Sequence, residues 1–224
     1  MKKLICITLV VCFLMAGCQN DKVATEITEP ISTTAPTEQA ETVTKIYPLP
    51  DTTMDNLSDT ILSISLEEGD AYVDDTGIMR MDVTIYSYDK YDLVDISTLK
   101  VGDILVTHAG EVEITSLERT ENGMILINGG LYEDGFNLIT DETGIFYESG
   151  YNDAKNWYEI GEATIRVSVD FEYYDSSDPE KGEILYYPGS FLIGEVTDYN
   201  FNPHTTTIRV ENGQIIEMHR VYTP

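Results

Sequence analysis

From Asp51 onward the chain alternates apolar and polar residues with a period of two. The clearest run sets Ile165, Val167, Val169, Phe171 and Tyr173 on one side and Thr164, Arg166, Ser168, Asp170 and Glu172 on the other. That pattern predicts a strand with one buried face. Met79, Met81, Val83 and Ile85 alternate in the same way with Arg80, Asp82, Thr84, Tyr86 and Tyr88. Half-buried strands of this kind belong to antiparallel sheets with one wet face.

Turn chemistry divides the runs. Between Asp103 and Ile114, a three-residue loop His108-Ala109-Gly110 pairs Val106 with Val112 and Ile104 with Ile114, with Gly110 supplying the left-handed conformation. Asn122-Gly123 and Asn212-Gly213 each lie between strand-like runs and read as tight hairpin turns. Leu99-Lys100-Val101-Gly102-Asp103 reads as a turn leading into a strand. Helix signals are few: Asn152 caps a turn or two through Tyr158, stopped near Gly161, and Asp51 caps another ahead of Leu57. The expected fold is all-β, a mostly antiparallel sandwich or partly open barrel with at most one or two short helices and a single core. There is no repeat of fixed period, although the two Asn-Gly hairpins hint at two layers or sub-barrels.

The first 50 residues have a different texture. Lys2 and Lys3 precede an apolar run from Leu4 to Ala16, too short for the roughly 20 residues of a spanning helix and laid out like a cleaved signal peptide. Met15-Ala16-Gly17-Cys18 closes it, and this leader resembles the lipobox of bacterial lipoproteins. The resemblance implies that residues 1–17 are removed, that the Cys18 thiol carries a diacylglyceryl group with acyl chains such as palmitate, and that the protein sits on the outer face of the cytoplasmic membrane, at the cell surface. Two acyl chains anchor stably where one does not. Residues 18–50 hold half of the chain's eight prolines and have no aromatic before Tyr47. They read as a disordered Thr/Pro-rich tether with a reach of about 30 Å, leaving 51–224 as one acidic β domain.

Charge narrows the partners. Cleavage removes Lys2 and Lys3, so 11 basic residues stand against 40 acidic ones, a net charge of −29. Such a chain repels nucleic-acid phosphates and anionic lipid head groups, which excludes a nucleic-acid role. Cations, basic proteins and neutral sugars remain. All three cysteines, Cys6, Cys12 and Cys18, lie in the leader or at its end, so the domain has no disulfide, cysteine nucleophile or thiolate metal site.

Signatures of catalysis are sparse: no Gly-x-Ser-x-Gly elbow, no His-Glu-x-x-His, no phosphate-cradling loop. His108 falls in a hairpin loop, as an exposed turn residue would. With a regular Asn212-Gly213 hairpin, Ile208 faces Glu217, Thr206 faces His219 and His204 faces Val221, which sets His204, Glu217 and His219 on one side as a candidate metal site. The alternative is an edge hydrogen-bond cluster without an ion. Glu67, Asp70, Asp74 and Asp75 form an acidic loop that would suit calcium, though without EF-hand spacing. Tyr86, Tyr88 and Tyr91 stand among aspartates, and an outward tyrosine stripe can stack on sugar rings. The reading is a non-catalytic, membrane-anchored binding module without an obligate cofactor, whose partner is a glycan or protein on the cell surface. The competing reading is a hydrolase of wall or dietary polymer. A hydrolase needs a cleft with paired, perturbed carboxylates, whereas a binder needs an aromatic patch on a regular sheet.

Overall fold

The computed structural model describes residues 42–223, so the leader, Cys18 and most of the tether lie outside the described residues. In chain order the strands are β1 (Lys45–Ile46), β2 (Thr60–Ser65), β3 (Ala71–Val73), β4 (Met79–Ser87) and β5 (Lys90–Tyr91). Helix α1 (Leu93–Thr98) precedes β6 (Ile104–Thr107), β7 (Gly110–Glu113), β8 (Leu117–Arg119), β9 (Ile125–Ile127), β10 (Phe136–Thr140) and β11 (Phe146–Ser149). Then come β12 (Tyr158–Ser176), β13 (Ile184–Tyr186), helix α2 (Pro188–Leu192), β14 (Thr206–Glu211) and β15 (Gln214–Val221). The fold is all-β with two short helices, as expected.

A partly closed barrel dominates. Its strand order is β12-β15-β14-β2-β4, and β4 pairs again with β12 to close the ring. One strand serves both seams because β12 runs for 19 residues. Its first half pairs antiparallel with β4, from Tyr158 opposite Ser87 to Arg166 opposite Arg80, and its second half pairs in parallel with β15. The strand bends twice to do so. Gly161, at φ 150°, sits at the first irregularity, and a Cβ there would press on the Met54 side chain at 3.1 Å, as expected of a strand glycine at a bulge. At the second, residues 168–171 leave the ladder, since the pairing jumps from Val167–Ile215 to Glu172–Glu217. Val169, expected inside with Ile165 and Phe171, is accordingly 84% exposed. β4 keeps the predicted alternation throughout, with Met81, Val83 and Ile85 buried.

The expectation of one core is corrected. The barrel encloses one apolar cluster, including Leu62, Ile64, Ile85, Phe171, Ile208 and Met218. A second cluster, including Ile46, Tyr91, Ile96, Leu105, Ile127 and Leu138, lies among helix α1 and eight further strands. These strands form the three-stranded β1-β6-β7 sheet and the five-stranded β5-β11-β10-β9-β8 sheet. The Asn122-Gly123 hairpin belongs to the second cluster and the Asn212-Gly213 hairpin to the barrel. Both clusters lie in one compact unit that begins at Thr42. The boundary expected at Asp51 is therefore too late: β1 pairs in parallel with β6, and Ile46 is buried.

Local chemistry accounts for the other departures. The β6–β7 hairpin turns through His108-Ala109 alone, pairing Thr107 with Gly110 and Leu105 with Val112. That register buries Leu105, where the three-residue loop would have buried Ile104 and Val106. Helix α1 was not predicted; Asp92 caps it by accepting from Val94 N at 2.6 Å, the usual service of an N-terminal aspartate. No helix forms after Asp51.

Candidate functional site

At the end of β11 the chain reverses at once. Gly150 N donates to Ala154 O at 2.7 Å, and Lys155 forms an isolated antiparallel bridge with Ser149. Asn152 and Asp153 make the reversal at φ 59° and 58°, a left-handed conformation that Asn and Asp tolerate best among residues with side chains. The helix expected from Asn152 to Tyr158 is thus a single 3-10 turn, Tyr151–Asp153, and the chain beyond it leads into β12. Asn156 N donates to Glu148 O at 3.0 Å, which pins the far side of the loop.

This loop carries Lys155 and Trp157 against the outer face of the barrel. The Lys155 ammonium lies 4.3 Å from the centre of the Tyr88 ring, 5.5 Å from that of Tyr147 and 5.8 Å from that of Trp157. It donates to the Tyr88 hydroxyl at 3.1 Å. Tyr88 in turn meets Trp157 and Tyr147 edge to face, at centroid separations of 4.8 and 5.9 Å, the geometry that ring quadrupoles favour. Lys90 stands 4.9 Å from the Tyr88 ring and pairs with Asp51 at 2.7 Å. Burial raises the Tyr147 hydroxyl above the ordinary tyrosine range, with Asp141 and Asp153 adding to the rise.

A half-open groove of about 890 Å³ follows from this arrangement, lined by Tyr147, the loop from Gly150 to Trp157, His204, and the outward Ser63 and Thr207 of the barrel. A smaller depression of about 210 Å³ shares Ser63, Lys155 and Trp157 with it and continues over Tyr86 and Tyr88 to Lys90. The His204 ring meets Trp157 edge on, with centroids 6.5 Å apart. Aromatic faces beside amides and hydroxyls can stack on an apolar ring face while exchanging hydrogen bonds with its substituents.

A second polar cluster stands behind Tyr158. Asp89, which is buried, accepts from His108 N and engages His108 Nδ1, both at 2.9 Å. The imidazole stacks on Tyr158 at 3.9 Å. His108 is therefore more than the exposed turn residue expected. Burial raises the Glu148 carboxyl above the ordinary range and Asp89 adds to this, while the Asn156 amide, donating at 2.7 Å, offsets part of it. None of Asp89, His108 and Glu148 lines the groove; its two linings contain Asp51 and Asp153 as their acids.

The sequence-predicted candidates fare unevenly. Tyr88 lies in the aromatic cluster and Tyr86 borders it, with its hydroxyl 3.2 Å from Ser65 Oγ. Tyr91 does not join them; it is fully buried in the second core and donates to Val106 O at 3.0 Å. Nor does the acidic loop converge. Asp74 accepts from Thr76 N and Oγ1, Ile78 N and Arg80 Nε, which holds its carboxyl far below the usual range, the Thr76 hydroxyl contributing most. Asp70 accepts from Glu67 N at 2.8 Å. These carboxylates cap turns rather than facing a common point with Asp75.

The histidine hairpin is shifted by a bulge. Asn212-Gly213 is the two-residue turn expected, but the register slips at Ile216, so Arg209 faces Glu217 and Thr207 faces His219. Glu217 and His219 hydrogen-bond each other on the outer face, and His219 stacks on Tyr174 at 4.9 Å. His204 lies before β14, in a turn where its N–H donates to the Asn202 side chain at 3.1 Å. The three do not assemble, and among the described residues no group of three or more His, Cys, Asp or Glu is placed to hold a metal.

Tyr147, Lys155 and Trp157 escaped the sequence reading because residues 152–158 read as a helical turn. The signal was the lone tryptophan two positions from a lysine, a spacing that suits extended chain better than helix. Comparison of the chain with protein-family models, curated proteins and solved structures finds no match.

Proposed function

We propose that this protein is a lipid-anchored, extracytoplasmic binding module that holds a cell-surface glycan in the groove beside Trp157. The observation that carries the reading is the groove itself: Tyr147, Tyr151 and Trp157 beside the polar groups of Asn152, Asn156, Ser63 and Thr207 on a barrel face. The Cys18 lipobox resemblance supports the anchor, and the acidity of the chain speaks against nucleic acid. The test is affinity electrophoresis of the full chain against a panel of wall and plant polysaccharides. At least one should retard it, and Trp157→Ala should abolish the retardation while leaving the melting temperature within a few degrees; no retardation by any polysaccharide would sink the reading.

A surface hydrolase is the competing reading, favoured by the raised Glu148 carboxyl next to the Asp89–His108 pair. These groups stand outside the groove lining, which makes binding the better account. The retained polysaccharide should therefore release no new reducing ends on prolonged incubation, and binding should survive a chelator. For the anchor, metabolic labelling with a fatty-acid analogue should mark the wild-type chain and not Cys18→Ala.

A further inference from the structure

We infer that the groove selects an otherwise neutral glycan bearing an isolated uronic acid, with the Lys155 ammonium receiving its carboxylate. The inference rests on the glycan-binding reading and adds the class of sugar. Its basis is an ammonium that no carboxylate among the described residues contacts directly, in a chain of net charge −27. Lys45, Arg80, Lys90, Lys181, Arg209 and Arg220 each have a carboxylate within 4.0 Å. Among the described residues, Lys155 has no carboxylate within that distance: rings surround it, and Asp141, an acid that feels its charge, stands farther off.

Aromatic faces attract a cation through their quadrupoles without neutralising it. The Lys155 ammonium spends one donor on the Tyr88 hydroxyl, and an ammonium has three. The Ser149 bridge holds the Lys155 backbone, and the Tyr88 hydroxyl and ring hold its ammonium. Lys155 lines both connected depressions. A sugar stacked on Trp157 would thus bring a ring substituent to the ammonium, and a carboxylate there forms a charge-assisted hydrogen bond, the stronger kind. Asp51, the acid on the barrel side, is already matched by Lys90. Asp153, on the loop side, serves as an acceptor for sugar hydroxyls. A depression of about 480 Å³ beside Arg220 offers no such charge, because Asp175 and Asp198 already pair with that guanidinium.

The test compares neutral xylo-oligosaccharides carrying one glucuronic acid with the same oligomers after carboxyl reduction, titrated calorimetrically into the full chain in mild detergent at 0.15 M salt, where charges beyond about 8 Å are screened. The wild type should bind the acidic form at least tenfold more tightly. In Lys155→Met the ratio of the two affinities should fall to near one, and Lys155→Arg, which keeps the charge, should keep most of the preference. Equal affinity of the wild type for both forms, or an unchanged preference in Lys155→Met, would overturn the inference and leave the glycan module standing. Tight binding of a free peptide carboxylate with no binding of either oligomer would overturn the inference and the glycan reading together.

Discussion

Arg220 is the only cation buried among the described residues, and its surroundings explain why that is tolerated. Nη2 and Nε meet the two Asp175 oxygens at 2.6 and 3.1 Å, Nη1 donates to Asp198 O at 2.9 Å, and the guanidinium lies 4.8 Å from the centre of the Phe201 ring. Burial alone would raise the Asp175 carboxyl, but hydrogen bonds from Arg220 and Ser177 outweigh it and bring the pKa down to about 2. A carboxyl that ionises more readily folded than unfolded stabilises above the unfolded value of about 4 and loses that contribution as pH falls through its folded value. Urea unfolding of the wild type should thus weaken between about pH 4 and pH 2. Asp175→Asn should cost about 3 kcal/mol at neutral pH, the low end for a broken buried pair, since Asp198 at 3.3 Å takes over part of the charge. The same variant should flatten the acid limb; a steep limb retained would show that other carboxylates carry it. Nothing in the sequence paired residues 175 and 220, because opposite charges meet here only through the parallel register of β12 and β15.

The β14–β15 hairpin shows how far local chemistry reaches. Asn212 and Gly213 adopt φ of 50° and 73°, the two left-handed positions that an Asn-Gly turn anticipates. Gly213→Val should destabilise the domain by about 1–3 kcal/mol, read as a lowered urea midpoint with unchanged slope. A few residues further on the register slips at Ile216, and the faces assigned to Thr206, Ile208, Glu217 and His219 change. Alternation was read correctly along β4, whose partners are straight antiparallel neighbours, and failed along β12 at residues 168–170. There the strand leaves an antiparallel partner for a parallel one while curving round the barrel, and a period of two cannot encode a bend imposed by closure.

The folded unit as a whole is larger than composition implied. Residues 42–50 read as tether, yet β1 pairs with β6 and Leu49 N donates to Lys90 O at 2.7 Å. Burying Ile46 is worth about 1.5–3 kcal/mol. Limited proteolysis should therefore stop near Thr42, and a chain starting at Asp51 should melt several degrees lower than one starting at Thr42; equal melting temperatures would return the boundary to Asp51. The net charge of −27 makes self-repulsion a cost spread over the whole surface. Added sodium chloride should accordingly raise the melting temperature by screening it, and a chelator should leave that temperature unchanged, whereas a drop on chelation that vanished in Asp74→Asn would restore the acidic loop as a cation site.

The sequence by itself determined the all-β class, the inward face of β4, the Asn-Gly hairpins and the acidity that bounds the partners, and it carries the lipobox resemblance from which the anchor is proposed. Each of these depends on residues next to one another in the chain, where side-chain period and φ preference act directly. Tertiary structure alone decided the two cores, the closure of the barrel through one long strand, the burial of Tyr91 and the dispersal of His204, Glu217 and His219. It alone also built the groove: Tyr88 and Lys155 are 67 residues apart and make a site because β11 and its tight reversal are carried against the outer face of β4. Period and propensity describe a strand's two faces, but which foreign residue covers a face is set by packing energies summed over the whole fold.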